Sequence, residues 1–436
     1  MSDTIKVTGG IPLQGIVTPV PNKNAIVAAL PAALLSDKTI TYHNVPKSTD
    51  VIKIIEMIKL LGAEIEDSNY MDIKINCRNV NSYTVDKVLG NLIRASVMFA
   101  GPLLARFGQA RIPIPGGCVL GKRSIAAHID SFTKAGIEVT FEDGYAHFKA
   151  PEKPEYLYDV WQLEASVTAT ENLAMYAAGT GSEIVITDAA SEPHVTQLLG
   201  LLQSMGAEID GIRSNRLTIK GSKTLNGAEY TPSPDPVDVG GLIVAAAVTK
   251  GKITLKDCND RETFGGIYEW FEKFGINITA VGTDIIVEGP EKIYLDPEKS
   301  GVPLANEGLP KFVPRPWPGF PVDILPVVVT LACKNHGQML VQNWMYETGL
   351  DFIRELNALG ARIFMSDPQR IIVNGPVTFN GGIITAPGII QACKAIFLAS
   401  LADDVTTTIR GADVLKRRYP DFIEVYKGLG AKIEIN

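Results

Sequence analysis

Apolar positions along this chain repeat on two scales. Within short windows they keep helical spacing up to a glycine and then alternate, as in MIKLLGAEIE at 57–66 and LLQSMGAEID at 201–210. Related copies are FTKAGIEVTF (132–141), WFEKFGINIT (270–279), ELNALGARIF (355–364) and VYKGLGAKIE (425–434). Each reads as an amphipathic helix closed by a glycine in a left-handed cap and followed by a half-buried strand. On the longer scale, Gly62, Gly136, Gly206, Gly275, Gly360 and Gly430 lie 74, 70, 69, 85 and 70 residues apart.

Upstream of each copy lies a second stretch of Ala and other small apolar residues. Examples are NAIVAALPAALL (24–35), RASVMFAGPLLARFG (94–108) and TATENLAMYAAG (168–179); the later three begin near Val237, Asp323 and Ile389. Helices so poor in charge are predicted to be buried all round. A short strand separates the two helices of each unit, for instance EIVITDA or KITLKD. A period near 70 exceeds the ~20–50 residues of solenoid repeats. Six units therefore group as three plus three, in two closed α/β domains with threefold pseudosymmetry. The three prolines of TPSPDPVDV (231–239) mark the break. The expected domains are 22–232, and 1–21 together with 233–436, with the chain crossing twice.

At 436 residues the length suits two domains. A net charge of -7 argues against a general nucleic-acid binder, so any bound anion needs a local cluster of cations. Five cysteines without a CxxC or CxxH spacing suggest neither a disulfide framework nor a zinc site. The first residues, MSDTIKVTGG, lack the basic and apolar regions of a leader, and the longest apolar runs, such as LIVAAAV at 242–248, are too short to span a membrane. A soluble, cytoplasmic chain is expected.

Five stretches carry candidate chemistry. In PNKNA (21–25), Lys23 and Asn24 open the first buried helix. An ammonium beside free N–H groups favours an anion, and a capping Asn beside a solvated Lys is the plainer alternative. Arg94 heads an otherwise apolar helix, where it either snorkels to solvent or meets an anion. PGGCVLGKR (115–123) puts Cys118 between glycine turns, with Lys122 and Arg123 behind it. Nearby cations would lower its thiol pKa and suit a nucleophile or general acid; otherwise it is an incidental cysteine in a surface turn. LKRRYPDF (415–422) offers Lys416, Arg417 and Arg418, either as phosphate-matching forks or as a solvated basic turn. In PWPGFPVDIL (316–325), Asp323 stands before a small-residue helix, as a cap or as a base in a cleft.

Taken together, LQGIVTPVPNKNA, RASVMFAGPLLARFGQARIPIPGGCVLGKR, ASVTATENLAMYAA, PWPGFPVD and the final LGAKI resemble the enolpyruvyl transferase superfamily over essentially the whole chain. The likeness is nearer to the branch that acts on UDP-N-acetylglucosamine in peptidoglycan synthesis than to the shikimate branch. It implies two inside-out α/β barrel domains of three repeats each, closing around phosphoenolpyruvate and the nucleotide sugar. The sugar 3-hydroxyl would add to C2 of phosphoenolpyruvate, and phosphate would leave, with no metal or organic cofactor. By the same resemblance, Lys23, Arg123 and Arg417 lie near the phosphate and Arg94 in the cleft. Cys118 would protonate C3 or form an adduct with phosphoenolpyruvate, and be alkylated by fosfomycin, and Asp323 would take the hydroxyl proton. Asn24, Ser166 and Val167 would contact the sugar nucleotide. No nucleic acid or membrane partner is implied.

Four positions depart from the pattern. Gly349, in MYETGLDF, and Gln391, in TAPGIIQACKA, stand where the family has arginines for the donor carboxylate. Ala126 and Glu164 stand where it has an aspartate and a lysine facing the nucleotide. A charge-assisted bond of this kind is worth about 1.5–3 kcal/mol. Lys122, Arg315 and Arg418 are candidates to compensate. The alternative function is a related transferase acting on another nucleotide or hydroxyl acceptor, or on another enol-type donor. A non-catalytic nucleotide-sugar binder is disfavoured by the presence of Lys23, Cys118, Arg123, Asp323 and Arg417 together.

Overall fold

The structure is a computed structural model that describes residues 4–114, 125–305 and 308–435. These residues divide into two compact units, one of 21–114 and 125–233, the other of 4–20 and 234–435.

In the first unit the central helical segments are Lys23–Ala32, Ala100–Phe107 and Val167–Ala178. The outer helices are Thr49–Leu60, Ala126–Lys134 and Pro193–Ser204. Among the described residues, three separate sheets accompany them. Their orders are 229–230/40–43/72–76/64–67, then 109–113/145–149/138–142, then 208–210/216–220/183–187/157–161. The strands alternate buried and half-exposed positions, whereas ten of the twelve residues of Val167–Ala178 are buried. The helices thus fill the middle and the sheets lie outside, as alternation on strands and uniform apolarity on helices require.

The second unit repeats this plan. Its central helices are Pro236–Val248, Leu325–Lys334 and Ile390–Ala402, and its outer helices are Arg261–Glu272, Ile353–Ala358 and Phe422–Gly428. Strand Thr4–Thr8 is central in one sheet, antiparallel to both Thr406–Arg410 and Lys432–Ile435. Strand Gln14–Val17 runs parallel to Lys252–Leu255.

The fold is therefore the two-domain α/β architecture of three-repeat units that the periodicity predicts. All six spacing glycines have positive φ, from 80° at Gly136 to 110° at Gly206. Two central helices differ from expectation, and proline is the reason. The segment 94–108 opens as a 3-10 turn, Arg94–Phe99, and becomes α-helical only at Ala100. Pro102 then falls in the first turn, where its missing N–H leaves no bond unmade. The helix at 23–32 has Pro31 near its end and passes into a 3-10 turn at Ala33–Leu35.

Candidate functional site

In the first unit the candidate residues sit where central segments begin. Asn22, not Asn24, caps the first helix: its Oδ1 accepts from Asn24 N at 3.1 Å and from Ala25 N at 3.3 Å. Lys23 is therefore the first helical residue. Its Nζ donates to Asp50 Oδ2 at 2.5 Å, and Asp50 lies in the first turn of Thr49–Leu60. This pairing fixes an ammonium that would otherwise be a solvated side chain.

Arg94 begins its 3-10 turn, and Val167 begins its helix behind Ser166, both of them half-buried. His128 links these two segments. Burial, reinforced by the Arg94 guanidinium, holds its imidazole down to about 3. Asn172 Nδ2 donates to Val97 O at 2.7 Å and approaches His128 Nδ1 at 3.2 Å, while His128 Nε2 lies 3.0 Å from Thr168 Oγ1. A neutral ring accepting at Nδ1 and donating from Nε2 satisfies all of these contacts. Asn172 Oδ1 accepts from Gly101 N at 2.7 Å. A Cβ at Gly101 would run into the Asn172 carbonyl, so the central helices meet backbone to backbone there. His128 and Asn172 escaped the sequence reading. Asn172 showed only as a polar residue in the small-residue stretch 168–179, whereas His128 lies on an outer, amphipathic helix, where a polar residue draws no notice.

The second unit contributes Asp323 and Arg417. Asp323 lies in the 3-10 turn Val322–Ile324 that leads into Leu325–Lys334, and Tyr346 Oη stands 3.4 Å from its Oδ1. Arg417 ends the 3-10 turn Ala412–Arg417 and is exposed. Its neighbour Arg418 points the other way. Arg418 donates through Nε and Nη2 to the two oxygens of Asp235, each at 2.8 Å, with 4% and 0% of the two side chains exposed. Burial works most strongly against the guanidinium's charge, but Asp235, Tyr419 and Asp323 together outweigh it and push its pKa up. Arg418 is therefore committed to a carboxylate of its own chain, although the sequence reading offered it as a free cation. A Cβ at Gly349 would meet the Asn343 side-chain amide, so any larger residue there requires that amide to move. Gln391 is half-buried in the first turn of Ile390–Ala402.

Cys118, Lys122 and Arg123 lie outside the described residues. The other four cysteines are buried, and burial pushes each of their thiols up to about 12. They behave as small core hydrophobes, not as nucleophiles.

Two inside-out units of three repeats, with cations and a carboxylate at the openings of their central helices, define an enolpyruvyl-transferase-type protein. Residues 7–426 match the family model described as EPSP synthase (3-phosphoshikimate 1-carboxyvinyltransferase), and the chain belongs to that family. It is 34% identical over 429 residues to a UDP-N-acetylglucosamine 1-carboxyvinyltransferase of Treponema denticola, covering 98% of each chain. It is 36% identical to the protein of the same name from Bradyrhizobium diazoefficiens, covering 98% of this chain and 97% of that one. Among solved structures, the enolpyruvyl transferase NikO from Streptomyces tendae superposes with a TM-score of 0.86 at 20% identity, over 100% of this chain and 99% of the other. An EPSP synthase from Acinetobacter baumannii gives 0.76 at 16% identity, over the whole of both chains. No helix among the described residues is long and apolar enough to cross a membrane.

Proposed function

We propose that this chain transfers the enolpyruvyl group of phosphoenolpyruvate to the 3-hydroxyl of UDP-N-acetylglucosamine, releasing phosphate, in the cytoplasm and as a step of peptidoglycan synthesis. What carries the reading is its full-length likeness to relatives that bear the name of this activity. The placement of the candidate residues supports it.

Asp323 takes the proton of the acceptor hydroxyl as its oxygen bonds to C2 of phosphoenolpyruvate, and Cys118 delivers a proton to C3. C3 then gives up a proton, the C2–C3 double bond re-forms, and the C2–O bond to phosphate breaks with its electron pair leaving on phosphate. Lys23, Arg123 and Arg417 stabilise that charge as it develops. Arg94, Asn24, Ser166 and Val167 hold the nucleotide sugar. The Asp50 carboxylate orients the Lys23 ammonium, and neutral His128 fixes the start of the 167–178 helix without adding charge beside the nucleotide.

The test is phosphate release from phosphoenolpyruvate with and without UDP-N-acetylglucosamine. Acceptor-dependent release supports the reading. Silence with this acceptor, together with release when UMP or another nucleotide is supplied, would transfer the activity to that acceptor.

A further inference from the structure

Two buried ion pairs in the second unit stand outside the chemistry just described. Asp235 caps helix Pro236–Val248, and Asp238 lies in its first turn. Asp235 is bonded by the Arg418 fork. Asp238 Oδ1 accepts from Lys394 Nζ at 3.1 Å, with 8% and 3% of these side chains exposed. The Lys394 ammonium also lies 4.1 Å from the Tyr419 ring centre and 5.2 Å from that of Tyr426. Charges so thoroughly withdrawn from water are costly, and replacing such a pair with apolar residues often leaves stability unchanged or improved. Stability alone is therefore a poor account of why two pairs lie side by side.

What the two aspartates share is Val20. The Val20 N–H donates to Asp238 Oδ2 at 3.0 Å, and the Val20 carbonyl accepts from the Asp235 N–H at 2.9 Å. One peptide segment is thus gripped at both polar groups by a single helix start. Each gripping residue is itself held by a cation from the last repeat of the unit. Val20 precedes Lys23 by three residues, and Arg418 follows Arg417 directly.

We propose that Arg418 and Lys394 are positioning residues that act through Asp235 and Asp238 to hold the segment leading to Lys23, Arg418 also anchoring the turn that carries Arg417. The inference rests on the proposed transferase reaction for its kinetic consequence, but not for its structural one. Neither cation touches substrate. Each fixes a carboxylate, and the carboxylates fix the chain.

The test uses the full chain with Asp238→Leu and Lys394→Met combined, which removes both charges together. The expected result is a urea midpoint near that of the parent and amide exchange in 18–24 at least tenfold faster. With it, kcat should fall at least tenfold while KM for UDP-N-acetylglucosamine stays within threefold. Parental exchange in 18–24 together with parental kcat would overturn the inference. If the double variant does not fold, Arg418→Lys, which keeps the charge and loses the fork, is judged by the same two readouts. A parent chain that releases no phosphate refutes the proposed reaction instead, and the exchange measurement still decides this inference.

Discussion

Asn172 decides which nitrogen of His128 carries the proton. Its Nδ2 reaches both Val97 O and His128 Nδ1, leaving Nε2 to face Thr168. The ring is 1% exposed, so no water competes for that choice. Three segments of the first unit are tied together by one imidazole and one amide.

A pH dependence follows from the neutral ring. His128 is held at about 3 in the folded chain, against an ordinary value of 6.5. Between those values the unfolded chain binds a proton that the folded chain does not, so stability rises with pH across this window. It is fully present above pH 6.5 and is lost as pH falls toward 3, by an amount on the order of a few kcal/mol. Urea midpoints at pH 4.5 and 7.5 should show this loss, and His128→Gln should flatten the difference. An equally steep slope in that variant would assign the effect to other groups.

Gly101→Ala should be severely destabilising. The added methyl meets the Asn172 backbone carbonyl, which has no route of retreat inside a central helix. A loss of roughly 3 kcal/mol or more in equilibrium unfolding is expected, in the range of overpacked cores. A loss below 1 kcal/mol would mean that the two helices part easily.

Asp323→Ala should leave binding of the nucleotide sugar within a few-fold while lowering kcat by about 10²–10⁴, the usual worth of a general base. Isothermal titration and phosphate release separate the two effects. Turnover at the parental rate would remove Asp323 from its role.

Thiol labelling should be confined to one residue. With the other four thiols pushed up to about 12 by burial, fosfomycin or iodoacetamide should modify the native chain at Cys118 alone. Peptide mapping checks this, and Cys118→Ala should abolish the label. Modification of native Cys77, Cys258, Cys333 or Cys393 would contradict the burial argument.

Much of the architecture was legible because periodicity is a local property. Six glycines at positive φ and six charge-poor helices repeat often enough for the threefold plan to be counted off the chain. The start of the helix at Ala100 was less visible, since Pro102 moves it by six residues from where apolarity begins. The site was legible only in part. Lys23, Arg94 and Asp323 break apolar runs and draw the eye. The partner of Lys23 is Asp50, 27 positions away, and nothing in the spacing pairs them. Arg417 and Arg418 look equivalent in LKRRYPDF, yet one is exposed and the other is enclosed with Asp235, 183 positions away. Gly349 stands where the family has an arginine, and the fold packs the Asn343 amide against that position, a contact between residues whose sequence gives no hint of it.

The placement of Thr4–Thr8 between Thr406–Arg410 and Lys432–Ile435 has a consequence for biosynthesis. On a ribosome this strand is made roughly 400 residues before either of its neighbours. Until then this strand has two unpaired edges, and exposed edges invite promiscuous pairing. Its alternation of Thr and Lys with Ile and Val keeps one face hydrophilic through that wait. A strand synthesised early thus waits for partners synthesised late.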